Sequence, residues 1–254
     1  PAIPRRQRQM CIRDSLTGYG EKGPDSHRTA FDTMAWWARS GLMDIVRPSV
    51  NSPPANPPIG MGDQPTGVAL FASIMTALYR REKTGKGGEV HTSLMANGAW
   101  SNGSFIQAGL FGAQFPDRKE PSPLHPFGGR YKTKDNRYLI LAIIDANKEW
   151  PKLLKALDIE YFNEDPRFST FKKMNENFTI LYEELEKIFI QYSLKEITEK
   201  LRFSEVTFGI LSHSNDHSKD QQFIESEVLV KFDEGSFDED LFTCLLYTSP
   251  SPRD

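Results

Sequence analysis

Asp63 is the residue whose type and setting best suit it to chemistry. It ends the turn Gly60-Met61-Gly62 and directly precedes an apolar-periodic segment that begins at Gln64. A carboxylate there has two uses. As a helix N-cap it would satisfy a free backbone N–H, worth about 1 kcal/mol. As a nucleophile it would gain from a helix N-terminus, which favours negative charge, and an ionised carboxylate can open covalent catalysis. From spacing alone the cap is the simpler reading, and one residue can do both.

The other candidates are weaker by themselves. Gly18-Tyr19-Gly20-Glu21-Lys22-Gly23 fits GxGxxG, but a dinucleotide site needs a strand before it and a helix directly after. Pro24 and a polar loop follow instead, so the segment reads as a turn. Thr84-Gly85-Lys86-Gly87-Gly88 follows a helix rather than opening one, and reads as a helix-to-strand turn rather than a phosphate loop. Gly128-Gly129, after His125-Pro126-Phe127, is a turn whose paired glycines would admit close backbone approach to a ligand. Trp36 and Trp37 could line an aromatic acyl site, although their helical spacing favours the core. His27, His91, His125, His213 and His217 form no metal-ligand pattern. Asn102-Gly103-Ser104 and Asn177-Phe178-Thr179 match the glycosylation sequon, which carries no weight in a cytosolic protein.

The two ends of the chain read differently from the rest. Met10 to Asp14 and Cys244 to Ser249 can be back-translated into strings that are largely reverse complements of each other. Nothing in protein chemistry calls for that relation, so residues 1–15 and 244–254 read as translated sequencing-library adapters and are set aside. Both cysteines, Cys11 and Cys244, go with them, and disulfides, zinc–thiolate sites and cysteine nucleophiles drop out together. Removing the five basic and two acidic residues of the ends from the 31 and 34 of the whole chain leaves 26 basic against 32 acidic, a net charge of −6. That balance argues against a nucleic-acid surface. No apolar run is long enough to span a membrane, and a cytoplasmic enzyme is the expectation.

Several elements must position Asp63. Leu16 to Ser26 is a Gly/Pro-rich loop, and Phe31 to Leu42 reads as a helix with Phe31, Met34, Ala35 and Ala38 on its apolar face. Val46 to Met61 holds five prolines and no period, so it is a loop or lid. Gln64 to Glu82 is a helix with Val68, Phe71, Ala72, Met75, Leu78 and Tyr79 on one face and Asp63 at its N-cap. Glu89 to Leu94 alternates as a strand, and Ala96 to Leu110 is helical. Beyond a proline-rich stretch from Phe115 to Pro126, Arg130 to Thr133 and Tyr138 to Ile144 form a hairpin. Helices follow at Asn147 to Leu157 and Asn175 to Tyr192. Another opens on a capping box at Ser193-Leu194-Lys195-Glu196, and Val206 to Leu211 is a strand. The alternation predicts an α/β protein with a smaller inserted domain.

Read in order, Leu16-Thr17-Gly18-Tyr19-Gly20, Gly23-Pro24, Ala30-Phe31-Asp32, Ser40-Gly41-Leu42-Met43, Gly62-Asp63, Thr66-Gly67 and Arg81 to Gly87 resemble the family III CoA-transferases, the CaiB/BaiF family. The resemblance runs over nearly all of Leu16 to Thr243. It implies a CaiB/BaiF-type fold, with a Rossmann-like large domain and a smaller inserted domain, present here in part. Residues 16–113 would belong to the large domain, 114–202 to the small one, and 203–243 would lead back. It also implies that Asp63 is the nucleophile and that Arg28, Thr29, Ala30 and Phe31 touch coenzyme A, with Arg28 a cation suited to a phosphorylated ligand. Gly128 and Gly129 would lie in a loop that covers the nucleophile, although some members carry a longer glycine run. Acyl-CoA and a small carboxylic acid would be the substrates, with no tightly bound cofactor and no metal. Full-length relatives form interlocked homodimers, and from this the chain expressed alone is expected to be inactive and poorly soluble.

Two other activities fit the same resemblance. An α-methylacyl-CoA racemase would need a histidine where this chain has Phe31, and phenylalanine cannot exchange a proton. An inactive CoA-binding protein would have no need of Asp63.

Overall fold

The computed structural model describes residues 11–49, 51–115, 125–231 and 242–244. They fall into two compact units that divide between Ser122 and Pro123, where the sequence pattern placed the change between 113 and 114.

In the first unit β1 (Ile12–Thr17) pairs in parallel with β2 (Gly88–Ser93), in register from Ile12 opposite Gly88 to Thr17 opposite Ser93. The strand starts inside the stretch read as adapter-derived, and its ladder is made of backbone groups that need no particular side chain. Between the strands lie α1 (Asp32–Ala38), α2 (Leu42–Ile45) and α3 (Asp63–Thr84). After β2 come α4 (Leu94–Ser101) and α5 (Gly103–Leu110).

The helix expected from Phe31 to Leu42 is shorter, and α1 winds as a π-helix, with the Arg39 N–H donating to the Met34 carbonyl five residues back. This looser turn moves the buried stripe. Asp32, Ala35, Trp36 and Trp37 face inward, while Phe31 and Met34, expected inside, are 67 % and 43 % exposed. Trp36 and Trp37 meet edge to face at 5.0 Å and form the core of this unit with Tyr19, Ala35 and Leu94. Core packing, rather than an acyl site, is their role here.

α3 packs on β1 and β2, but not with the expected face. Val68, Phe71, Met75 and Tyr79 are 42–67 % exposed, while Ala69, Leu70, Ser73, Ile74, Ala77 and Leu78, the last from the expected face, are half-buried. Gly85 closes α3 in a left-handed conformation at φ 66°, its N–H donating to the Arg81 carbonyl at 2.7 Å. Lys86 and Gly87 then lead into β2, as a helix-to-strand turn should.

The single helix expected from Ala96 to Leu110 is two. Ser93 caps α4, its hydroxyl accepting from the Ala96 N–H at 3.1 Å. At the break, buried Asn102 donates its amide to the Ser40 carbonyl at 2.7 Å.

The second unit holds a three-stranded antiparallel sheet in the order β3 (Arg130–Lys132), β4 (Tyr138–Leu141), β5 (Phe208–Leu211). The hairpin turn is as expected, with Asn136 taking φ 58° as asparagine tolerates. β5, expected on the way back to the first domain, pairs with β4 instead. α6 (Ala146–Leu157), α7 (Phe171–Glu176), α8 (Phe178–Phe189) and α9 (Leu194–Phe203) complete the unit, with a short α10 (Gln221–Glu225) and the pair β6 (Leu229–Lys231) and β7 (Phe242–Cys244) beyond. Asn177 splits the helix expected from Asn175 to Tyr192, its side chain donating to the Lys173 carbonyl at 2.9 Å. Ser193 and Glu196 form the reciprocal capping box. Twenty-two buried apolar residues make up this core, with Leu139, Leu141, Leu153, Leu181, Leu185, Ile197 and Leu201 at 0 % exposure. Among the described residues the first unit has five. The contrast matters for the candidate nucleophile, which sits on the thinly cored side.

Candidate active site

Asp63 is the first residue of α3 and lies at the surface. The cap position belongs to Gly62, so the expectation of an N-capping Asp63 is corrected by one residue. Gly62 is buried against α1. A Cβ on it would overlap the Asp32 carboxylate and the Trp36 ring, which leaves glycine as the residue that fits. Its N–H donates to Asp32 Oδ1 at 3.1 Å, and its carbonyl accepts from the Thr66 hydroxyl at 2.7 Å and the Thr66 N–H at 3.2 Å. Thr66 is fully buried. The backbone before Asp63 is therefore held on both sides, while its own carboxylate is left in the open at a helix N-terminus. That combination suits a carboxylate meant to meet a ligand.

Asp32, part of the Ala30-Phe31-Asp32 motif, was given no role of its own from the sequence. It is 5 % exposed, and its second oxygen, Oδ2, is buried with no hydrogen-bond partner. Trp36 Nε1, Trp37 Nε1 and Asn102 Oδ1 are likewise buried and unpartnered in this unit. An acidic residue four and five positions before two tryptophans was the available signal, but on a 3.6-residue period it falls off the apolar stripe.

Arg28 to Phe31 lead straight into α1, and the bond from Gly62 to Asp32 brings that segment to the Asp63 turn. Ala30 packs at Gly18, where a glycine Cβ would overlap it. Thr29 and Phe31 are exposed. Arg28 is engaged already: its guanidinium donates to Asp25 Oδ1 at 3.0 Å and lies 5.7 Å over the Tyr19 ring, while Arg39 reaches the same carboxylate at 3.4 Å. The Arg28 hydrogen bond holds the Asp25 carboxyl below the usual range. Gly18 to Gly23 is a turn, with the Gly20 N–H donating to the Thr17 hydroxyl at 3.0 Å, and among the described residues no helix begins before Asp32.

Gly128 and Gly129 lie in the second unit. Gly128 is exposed with open space around it, and its N–H donates to the His125 carbonyl at 3.1 Å. Gly129 is buried under the Tyr182 ring, a packing reason for glycine. Among the described residues no cluster of three histidine, cysteine, aspartate or glutamate side chains could hold a metal ion, and no helix is long and apolar enough to cross a membrane.

The family model for CoA-transferase family III matches residues 5–250. The (R)-2-hydroxy-4-methylpentanoate CoA-transferase of Clostridioides difficile is 32 % identical over 227 residues, covering 89 % of this chain and 56 % of that protein. The cinnamoyl-CoA:phenyllactate CoA-transferase of Clostridium sporogenes is 29 % identical over 220 residues, covering 85 % and 53 %. A solved CaiB/BaiF family protein from Brucella suis superposes with a TM-score of 0.76 at 23 % identity, over 93 % of this chain and 64 % of that one. The fold is thus that of the CaiB/BaiF proteins. The chain belongs to CoA-transferase family III, and it spans about half the length of the curated relatives it matches.

Proposed function

We propose that the protein carrying this chain transfers coenzyme A from an acyl-CoA thioester to a free carboxylic acid, with Asp63 as the nucleophile. The observation that carries the reading is the exposed Asp63 carboxylate at the start of α3, on a backbone held rigidly from behind by Asp32 and Thr66. Membership of the family and relatives named as CoA-transferases support it.

Asp63 attacks the donor thioester carbonyl and expels CoA as its thiolate, leaving a mixed anhydride. The thiolate attacks the aspartyl carbonyl of that anhydride and releases the donor acid as its carboxylate, so that CoA is held as a thioester on Asp63. The acceptor carboxylate attacks that thioester, freeing the thiolate and forming a second anhydride. The thiolate then attacks the acceptor's acyl carbon, which yields the new acyl-CoA and returns Asp63 as a carboxylate. The covalent relay splits one difficult exchange into easier steps. The helix N-terminus favours the anionic form of the residue at each end of the cycle.

Arg28, Thr29, Ala30 and Phe31 are placed by this reading along the CoA molecule. Arg28 can reach a phosphate only by sharing or leaving Asp25. Gly128 and Gly129 are assigned to a cover over the acyl intermediates, where the Gly128 N–H could serve an intermediate only by leaving the His125 carbonyl. A homodimer, a cytoplasmic location and the absence of a tightly bound cofactor belong to the same proposal. The first unit supplies the nucleophile, and the second is the small domain.

The test is an acyl-CoA assay with added free carboxylates on the complete gene product. Appearance of the acceptor's thioester, lost in Asp63→Ala, supports the proposal. Hydroxylamine or borohydride should modify Asp63 only when acyl-CoA is present. Inversion of an α-methyl centre without transfer would replace the proposal with racemisation, a reading that exposed Phe31 disfavours because it has no proton to exchange.

A further inference from the structure

Asp32 lies inside the first unit, on the first turn of α1, and none of the steps above uses it. Carboxylates are rarely buried unless both oxygens are paired, because a buried charge or an unmade hydrogen bond is costly. Here only Oδ1 is paired, to the Gly62 N–H at 3.1 Å, and Oδ2 is buried without a partner. Stability alone would favour a neutral acceptor at this place. The paired oxygen is the one whose partner bears on Asp63.

Asp63 is the residue next to that partner along the chain. The Gly62 N–H is held by Asp32 and the Gly62 carbonyl by Thr66, and the Trp36 ring and Asp32 leave no room for a side chain between them. With Gly62 fixed at both ends, the position of the Asp63 backbone follows, and only the side-chain torsions of Asp63 are free. We infer that Asp32 is a positioning residue: it sets the Gly62-Asp63 turn so that the Asp63 carboxylate is aimed before a substrate arrives. The inference rests on the reading of Asp63 as the nucleophile. It predicts that Asp32 acts on the acylation rate rather than on binding, since misplacing a reacting group by about 1 Å can cost about 100-fold.

Three variants of the complete gene product test it beside Asp63→Ala. Asp32→Ala removes the acceptor and should lower kcat by about 10- to 100-fold, while KM for acyl-CoA stays within about twofold. Asp32→Asn keeps an oxygen where Oδ1 stands and should recover most of that loss. Hydrogen exchange at the Gly62 amide should be faster in Asp32→Ala than in the parent and near the parent's rate in Asp32→Asn. If Asp32→Ala does not fold, Asp32→Glu takes its place: one extra methylene displaces the acceptor and should lower kcat with KM kept. Wild-type kcat in a folded Asp32→Ala or Asp32→Glu, with Asp63→Ala inactive, overturns the positioning role and leaves the nucleophile intact. A folded Asp32→Asn as slow as Asp32→Ala also overturns it, because the carboxylate would then be needed for its charge or proton. An active Asp63→Ala removes the reading beneath it.

Discussion

The Asn102 side-chain amide donates to the Ser40 carbonyl at 2.7 Å, across 62 residues of sequence. One bond therefore joins the break between α4 and α5 to the end of α1, the helix that carries Asp32. Both residues are buried. Among the described residues this unit's core has five buried apolar side chains, so a buried bond of this kind adds to what holds the end of α1. Asn102→Ala should destabilise this unit by about 1–3 kcal/mol, because the Ser40 carbonyl is left buried and unmet. Denaturant unfolding followed by tryptophan fluorescence in a Trp150→Phe background reports it, since Trp36 and Trp37 lie in this unit's core and Trp150 in the other. An unchanged midpoint would show that water replaces the amide at no cost.

Two glycines five residues apart should answer alanine in opposite ways. At Gly62 a methyl group meets the Asp32 carboxylate and the Trp36 ring, so Gly62→Ala should destabilise by about 1–3 kcal/mol, as overpacking does, and displace the Asp63 turn. At Gly67, inside α3 and with open space around it, alanine should stabilise by about 0.5–1 kcal/mol through helix propensity. Thermal melts of the two variants check the pair, and the same sign for both would mean the helix start is misplaced.

Removal of the Asp63 carboxylate should separate chemistry from stability. It is exposed and the cap position is Gly62, so only its interaction with the helix terminus is at stake, about 0.3–1 kcal/mol. Asp63→Asn should therefore melt close to the parent while losing transfer. A melting point lowered as far as by Gly62→Ala would assign the residue a structural role instead.

Asp135 makes the second unit sensitive to acid. It sits in the hairpin turn, takes the Thr133 hydroxyl at 2.6 Å, and accepts the Leu194 N–H at the start of α9 at 3.1 and 3.2 Å. The Thr133 hydrogen bond, then the Leu194 N–H, holds its carboxyl below the ordinary value of 3.8. A carboxyl with a depressed folded value stabilises fully above its unfolded value, and that contribution is lost as pH falls through the folded value. Melting temperature should thus be flat above pH 5 and drop below about pH 3.8, with Asp135→Asn less stable at neutral pH and less steep in acid. Parallel acid slopes for parent and variant would place the sensitivity elsewhere, for instance at Glu196, lowered by the Ser193 backbone and hydroxyl.

Local rules carried the sequence reading a long way. The hairpin around Asn136, the capping box at Ser193 and Glu196, the helix-to-strand turn at Gly85 and the placing of Asp63 at the start of α3 all depend on neighbours within five residues, and all were legible. Resemblance in motif order supplied the family, and with it the expected role of Asp63. What escaped depends on residues far apart. α1 winds as a π-helix, and Asp32 turns inward where a 3.6-residue period leaves it out. Asn102 and Asn177 break helices by bonding carbonyls rather than by any unfavourable propensity of the flanking residues. The burial of α3 was decided by its packing on β1 and β2, which leaves Val68, Phe71, Met75 and Tyr79 of the helical hydrophobic stripe exposed. The contact between Asp32 and Gly62 spans thirty residues, and no periodicity encodes it. Only the folded chain brings that carboxylate behind the one that is proposed to react.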